Sequence, residues 1–394
     1  MKKPEDIRSL QFIDTYYPIV DGVVNTVDQY ATLMNQTSYA GVVTPGSREE
    51  YDDSVHPYDI YRTRNMPVPF FEYSVPFSLT RAQKEVLQKA APDILHAHSP
   101  FVLGHSAQRL GKKLGIPVVA TFHSKYKDDT LHLTGSKQIA EVVTKYVVDF
   151  FESVDAVWAC SNGTAETLRS YGYEGDIFVM ENGSRFDVPE HPEELRKRAV
   201  EELHLDTDQH ILLFVGHQIW HKNLKLVLDT MRSLCDESDD YTMVIVGNGY
   251  DQEDVLEYAR SLCFPEGKVL FPGRITDRDL LKGVMLASDL FFFPSVYDNA
   301  PLVVREAASV GLPSLLVAGS NAAEAVVPNE TGFTAAENVD AMKQEIKRIF
   351  GTPGLLEKVG KGAQQNIPVS WEKIISRVRE AYARIIEEYS QKNT

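Results

Sequence analysis

Only three cysteines, Cys160, Cys235 and Cys263, occur in this 394-residue chain. They are too few and too scattered for a disulfide framework or a zinc site, and are expected to be reduced, buried thiols. No uncharged apolar run reaches the roughly 18 residues that a membrane-spanning helix needs; the nearest, residues 284–296, is broken by Asp289 and Pro294. The opening Met1-Lys2-Lys3-Pro4-Glu5-Asp6 lacks the apolar stretch of a secretory signal, so export by that route is not expected. Basic residues are also in short supply: 40 Lys and Arg against 56 Asp and Glu leave a formal charge of −16. That balance disfavours a general polyanion-binding surface, and nucleic acid is not an expected partner. A Gly-x-Gly-x-x-Gly fingerprint does not follow the first apolar run, which argues against a dinucleotide-dependent oxidoreductase. A cytoplasmic location is therefore expected, and any membrane contact, at the inner face, is expected to be peripheral.

What is present is ample apolar material, 43% hydrophobic and 10% aromatic residues, in a length that suits two cores better than one. Short apolar runs alternate with longer amphipathic stretches, the pattern of parallel sheets wrapped by helices. In the first half the runs are 10–13, 40–43, 94–97, 118–121, 156–159 and 177–180. A helix is predicted over 105–114, stopped by Gly115-Ile116-Pro117. A second series begins at 211–216 and continues through 242–247, 269–271, 290–293 and 314–317. The stretch 189–208, rich in Pro, Glu and Arg, is the expected hinge, with a helix over 192–203 inside it. Residues 371–389 predict one amphipathic helix, with Ile374, Ile375, Val378, Ala381, Tyr382, Ile385 and Ile386 on its apolar stripe. The expected organisation is α/β: a first doubly wound domain over 1–190, a second over 205–370, and the helix of 371–394 crossing back to the first. Ligands of such sheets sit beyond the strand C-termini, here expected at a common cleft.

The densest cluster of candidate chemistry is Phe293-Pro294-Ser295-Val296-Tyr297-Asp298-Asn299-Ala300-Pro301-Leu302-Val303-Val304-Arg305-Glu306, which leaves a strand, forms a loop and enters a helix. Asp298 in the loop and Glu306 on the helix frame a site, and the amides of Ala300, Leu302 and Val303 are placed to cradle an anion. On the residues alone, an N-capping aspartate and a solvated helix glutamate account for the pair equally well. Upstream, Gly216-His217-Gln218-Ile219-Trp220-His221-Lys222 is another loop after a strand, and Lys222 is suited to neutralising a phosphate. The acidic pairs Asp52-Asp53 and Asp239-Asp240 read as solvated charge, so no metal site is expected.

These loops, in this order, resemble those of family 4 of the retaining glycosyltransferases, a GT-B group. The resemblance runs through Asp14-Thr15-Tyr16-Tyr17-Pro18 to Asp21-Gly22; His96-Ala97-His98; Thr121-Phe122-His123; Ser161-Asn162-Gly163-Thr164; Glu181-Asn182-Gly183; the 216–222 loop; Gly247-Asn248-Gly249; Phe271-Pro272-Gly273; Ala287-Ser288-Asp289 with Pro294-Ser295; and Gly332. Two positions depart from the family pattern. Asp298 stands where the first glutamate of the spaced acidic pair is usual, and His217 stands where a diphosphate-binding arginine is usual.

The resemblance implies a retaining, metal-independent hexosyltransferase without a cofactor, whose partners are a nucleotide-diphosphate sugar donor and a lipid or saccharide acceptor, in envelope glycolipid or polysaccharide synthesis. Glu306 would bind the donor ribose and Asp298 the donor sugar. Lys222, with His217, would offset charge on the leaving diphosphate. Gly22, Gly247, Asn299, Ala300, Pro301 and Leu302 would complete the donor side, and His123 would lie near donor sugar and acceptor. His98, the one of the alternating pair His96 and His98 expected to face the cleft, joins Lys125 and Tyr126 on the acceptor side, where the stretch 123–129 is similar to that of diacylglycerol glucosyltransferases. Basic Arg109, Lys112, Lys113, Lys125 and Lys127 beside the aromatic segment 67–77 suggest a bilayer contact. A nucleotide-sugar epimerase on the same fold and a noncatalytic nucleotide-sugar binder are the alternative readings.

Overall fold

The computed structural model describes residues 2–67, 74–184 and 190–393. The chain divides into two compact units, Met1–Gly183 with Trp371–Thr394, and Ser184–Ser370.

The first unit runs β1 (Ser9–Phe12), α1 (Gly22–Met34), β2 (Ala40–Pro45), β3 (Asp59–Thr63), β4 (Asn65–Pro67), β5 (Ser74–Pro76), α2 (Arg81–Lys89), β6 (Ile94–Ala97), α3 (Val102–Leu114), β7 (Val118–Phe122), α4 (Tyr126–Thr134), α5 (Lys137–Glu152), β8 (Ala156–Ala159), α6 (Asn162–Ser170) and β9 (Phe178–Val179). Among the described residues, seven strands form a sheet in the order β3-β2-β1-β6-β7-β8-β9, and each of its pairings is parallel. Helices cover both faces, so β1, β2, β6 and β7 are buried from end to end, which is why they read as unbroken apolar runs instead of alternating ones. The glycine stop after α3 is as expected: Gly115 takes φ 69°, the left-handed turn that ends many helices. A small antiparallel pair, β4 with β5, stands apart from the main sheet. It holds the ends of the aromatic segment 67–77, whose residues 68–73 lie outside the described residues.

The second unit runs α7 (Pro192–Leu203), β10 (His210–Val215), α8 (Leu224–Cys235), β11 (Tyr241–Val246), α9 (Gln252–Ser261), β12 (Val269–Gly273), α10 (Arg278–Ala287), β13 (Leu290–Phe292), α11 (Leu302–Ser309), β14 (Ser314–Val317), β15 (Phe333–Ala335), α12 (Val339–Gly351) and α13 (Leu355–Asn366). Its described strands form a parallel sheet in the order β12-β11-β10-β13-β14-β15. The helix expected inside the hinge, α7, belongs to this unit. Its Ala199, Val200 and Leu203 feed the second core, and Gly283 of α10 lies so near that a Cβ there would meet Leu195 O at 2.3 Å.

The last helix, α14 (Trp371–Lys392), returns to the first unit as the sequence predicts. Trp371, Ile374, Ile375, Val378, Ala381 and Tyr382 are buried, while Ile385 and Ile386 are half-buried. Tyr382 stacks on Trp158 at 5.6 Å. Arg379 donates to Leu33 O and Met34 O at 3.1 and 3.3 Å, adding a cationic donor to the carbonyls at the C-terminus of α1. The expectation of buried thiols holds for Cys160 only; Cys235 is half-buried and Cys263 is exposed. Cys263 sits at φ 49° just past the end of α9, where the chain turns outward.

Neighbouring strand ends in the second unit press together. Gly247, just after β11, has φ 130°, and a Cβ there would lie 2.0 Å from Gly216 O, just after β10. Gly267 is also left-handed, at φ 78°, but a Cβ there would meet nothing within 4 Å. Gly267→Ala therefore incurs only the left-handed strain of about 1 kcal/mol. Gly247→Ala adds a backbone collision and is expected to cost about 3 kcal/mol or more. Denaturant unfolding of the two variants checks this, and equal losses would refute it.

Candidate active site

In each sheet the strand order reverses once, between β1 and β6 in the first unit and between β10 and β13 in the second. Crossovers on the two sides of such a point leave for opposite faces, which opens a crevice beyond the strand C-termini. Gly22, His98, His217, Lys222 and Asp298 follow these strands, whereas His123, Lys125 and Tyr126 follow β7 and Gly247 follows β11.

In the second unit, the loop after β10 carries Lys222 and the loop after β13 carries Asp298. They form an ion pair, Lys222 Nζ to Asp298 Oδ1 at 2.7 Å, with side chains only 13% and 17% exposed. Ser295 holds the aspartate from below: its Oγ donates to Asp298 Oδ2 at 2.6 Å. The ammonium also lies 5.4 Å from the centre of the Phe293 ring. Asn223, at φ 63°, ties the two loops together by donating to Pro294 O at 3.1 Å. Asn321, from the polar loop after β14, donates to Asn299 Oδ1 at 2.9 Å. No side chain caps α11 after Pro301, so its first amides, Leu302 and Val303, point where an anion can take them.

Glu306 is 5% exposed on α11, not the solvated helix residue that the sequence alone allows. Its Oε1 accepts from Arg278 Nη2 of α10 at 2.6 Å. Arg278 escaped sequence reasoning because nothing marks an arginine at a helix start as a partner of a residue 28 positions on. His217 is exposed on the loop after β10. Gly247 answers to the packing against Gly216 described above, and Gln218 Nε2 donates to its carbonyl at 2.7 Å.

In the first unit, Asp21 caps α1 by accepting from Val24 N at 2.8 Å. The next residue, Gly22, has no steric need to be glycine: a Cβ there would meet nothing within 4 Å. The expectation that His96 and His98 point to opposite sides does not hold: two positions apart, they lie on one face of the chain, both are buried, and their rings stack at 4.0 Å. His96 Nδ1 is 2.6 Å from Tyr382 OH and its Nε2 is 2.7 Å from Thr121 Oγ1. His98 Nδ1 is 3.1 Å from His123 Nε2, and its Nε2 is 2.9 Å from Gln11 Oε1. Burial holds His96 and His98 well below the ordinary imidazole range, reinforced by the neighbouring histidines. Burial pushes His123 down to about 4. Half-buried Lys125 and Tyr126 begin α4, and Tyr126 packs edge-on against Phe101 and Phe122.

Asp14 is a further candidate whose chemistry the sequence concealed. Its Oδ1 accepts from Leu103 N at 3.0 Å, while Oδ2 is shut off from solvent without a hydrogen-bond partner. Burial pushes its pKa up to about 7, against the lowering effect of the Leu103 bond.

Among the described residues no group of three or more His, Cys, Asp or Glu side chains is arranged to hold a metal ion, and no helix is long and apolar enough to cross a membrane.

Solved structures share this architecture. Sucrose-phosphate synthase from Thermosynechococcus elongatus superposes with a TM-score of 0.78 at 18% identity, over 97% of this chain and 100% of that one. HepE of Anabaena, solved with UDP and glucose, superposes with a TM-score of 0.73 at 17% identity, over 96% and 99%. The fold is GT-B, the two-sheet architecture of a large class of glycosyltransferases. Two family models divide the chain: Glycosyltransferase Family 4 matches residues 20–185 and Glycosyl transferases group 1 matches 196–366. The protein is a glycosyltransferase of family 4. Among its relatives, the alpha-monoglucosyldiacylglycerol synthase of Streptococcus pneumoniae is 26% identical over 310 residues, 77% of this chain and 69% of that protein. The GDP-mannose-dependent alpha-mannosyltransferase of Corynebacterium glutamicum is 25% identical over 312 residues, 77% and 70%.

The Asp14 environment makes a stability prediction. A carboxyl raised from 3.8 to about 7 stabilises the fold fully below 3.8, and that contribution is lost as pH rises through 7. A carboxamide in its place cannot ionise and escapes the loss. The stability of Asp14→Asn relative to the parent should therefore improve by about 2 kcal/mol between pH 5 and pH 8. Urea unfolding at the two pH values measures it, and a pH-independent difference contradicts the assignment.

Proposed function

We propose that this glycosyltransferase moves a hexose from a nucleotide-diphosphate sugar to a lipid or saccharide acceptor, with retention at the anomeric carbon and without a metal ion. The observation that carries the reading is the Lys222–Asp298 pair at the strand-order reversal of the second unit. A half-buried ammonium there can offset charge as it develops on a leaving diphosphate, and a fixed charge needs no reorganisation when the bond breaks. The uncapped amides of α11 offer the diphosphate further donors. Arg278 orients the Glu306 carboxylate through Oε1, and Oε2 would meet a ribose hydroxyl. Asp298, gripped by Ser295, would receive a hydroxyl of the sugar.

The structures of HepE with UDP and with UDP-glucose support a nucleotide-sugar donor by analogy of fold. The names of the relatives support both acceptor classes: a diacylglycerol glycolipid synthase and, in Mycobacterium tuberculosis, a glycogen synthase. Peripheral membrane contact fits the exposed Met66, Val75 and Phe77 at the β4–β5 pair. On the first unit, the space at Gly22 suits a phosphate approaching the start of α1, and His123, Lys125 and Tyr126 would serve the sugar and acceptor.

The test is a panel of nucleotide sugars with diacylglycerol and saccharide acceptors, in chelator. Acceptor-dependent release of nucleotide diphosphate, with product of retained anomeric configuration by NMR, is expected. An isomerised sugar would point to an epimerase instead, and silence across the panel would refute transfer. Lys222→Ala is expected to lower kcat by about a hundredfold or more. Glu306→Ala is expected to weaken donor binding by about tenfold; wild-type affinity and rate in both variants would remove these residues from the site.

A further inference from the structure

Asp14 lies where the strand order of the first sheet reverses, and it ties the two exits together. It leaves β1, while Ser99, Phe101 and Leu103 follow β6. Its backbone N donates to Ser99 Oγ at 3.1 Å, and its Oδ1 accepts from Leu103 N at 3.0 Å. The carboxyl is thus held in direction by the first turn of α3, whose own N-cap residue, Phe101, supplies no side-chain cap. The other oxygen, Oδ2, is shut off from solvent without a hydrogen-bond partner among the described residues. A carboxyl oxygen left in that state is costly, and its persistence calls for a ligand group that meets it. A hydroxyl suits this oxygen, because it can donate to a carboxylate or accept from a carboxylic acid.

The surroundings are apolar and lead outward. Phe101 meets Tyr126 edge-on at 5.4 Å and lies stacked 6.4 Å from Tyr146, and both phenols are near enough to feel the Asp14 charge. Along α5, Tyr146, Val142 and Ile139 stand four and three positions apart, so they share one helix face. All three are exposed, Val142 to 70%, although the core of the unit is already met by Ala140, Thr144, Val147 and Phe151 on the same helix. The neighbouring α4, which begins at Tyr126, buries none of its residues and is the element that yields most cheaply when a ligand enters. A hydroxyl-binding carboxyl at the inner end of an exposed apolar track matches an amphiphile. A saccharide would lay hydroxyls against Val142 and Ile139, whose side chains return no hydrogen bond.

We infer that Asp14 binds the free hydroxyl at the polar end of a lipid acceptor, and that the acyl chains of that lipid lie along Tyr146, Val142 and Ile139. This rests on the reading of the first unit as the acceptor side and narrows the acceptor to a lipid.

The test compares the binding of dioctanoylglycerol with that of its methyl ether, which lacks the free hydroxyl, by calorimetric titration of the intact protein. At pH 8, above the value of about 7 to which burial raises this carboxyl, the carboxylate prevails and needs a donor. The free hydroxyl is expected to bind about tenfold more tightly than the ether. Asp14→Asn keeps the bond to Leu103 but offers N–H groups, which an ether oxygen accepts as well as a hydroxyl does, so the preference should vanish. Val142→Glu, on the exposed face, should weaken both lipids about fivefold. Equal binding of the two lipids to the unsubstituted protein, or a preference that survives Asp14→Asn, overturns the assignment of Asp14. Unchanged affinity in Val142→Glu overturns the apolar track, and no binding of either lipid overturns the proposal outright. None of these readouts needs turnover, so absence of transfer with every nucleotide sugar would refute the functional reading while leaving the binding result to stand.

Discussion

Parallel strands cannot be joined by tight hairpins, so every strand of these sheets must be left by a crossover over one face. Where the order of strands reverses, successive crossovers depart to opposite faces, and the loops at that point cannot close over the strand ends. This constraint operates between β1 and β6 and again between β10 and β13. Gly22 lies on the first of these four exits, His98 on the second, Lys222 on the third and Asp298 on the fourth. The stacked rings of Phe214, Phe293 and Phe291 beneath the second pair of exits give the loops a rigid floor. The candidate site residues are thus placed by topology before any side chain is chosen.

The two units treat their polar groups differently. In the second, each charge proposed to meet the donor is already paired: Lys222 with Asp298 and Glu306 with Arg278. A partly buried charge without a partner would be costly, because desolvation exceeds what neutral surroundings return. In the first unit the groups around His96 and His98 are imidazoles, a phenol, a hydroxyl and an amide, linked to one another by hydrogen bonds. Tyr382 brings α14 into that network through His96. Return of the last helix to the first unit and integrity of the histidine cluster are therefore coupled.

Much of this was legible in the sequence, for physical reasons that can be located. Strands buried on both faces announce themselves as apolar runs, and 94–97 and 156–159 match β6 and β8 to the residue. The strands that escaped notice lie at sheet edges or apart: β3, Asp-Ile-Tyr-Arg-Thr, is half-buried with polar residues facing out, and β15 is three residues long. Short or half-wet strands bury too little to leave a pattern. Individual candidate residues were legible as types in loops, but their partnerships were not. Lys222 and Asp298 are 76 positions apart, and only the adjacency of β10 and β13 brings them together. Gln11 had a signal, a lone amide inside Leu10-Gln11-Phe12, although its partner His98 lies 87 positions away.

In the proposed reaction both departures from the family pattern would bear on the Lys222–Asp298 pair. Asp298 is one methylene shorter than the usual glutamate, yet it reaches Lys222 at 2.7 Å because Ser295 pins its other oxygen. An imidazole at position 217 supplies less positive charge than a guanidinium and cannot grip two phosphate oxygens in a planar fork. More of the diphosphate charge would in that reaction fall to Lys222, whose ammonium is already engaged by Asp298. In the proposed reaction, a donor that draws Lys222 toward its phosphates releases Asp298 to accept from a sugar hydroxyl, so the phosphate and sugar ends of the donor would be bound cooperatively. A nucleotide diphosphate lacking its sugar would gain the first contact while leaving a half-buried carboxylate without its ammonium. The shortened acid and the missing arginine together would favour the intact donor over the spent one.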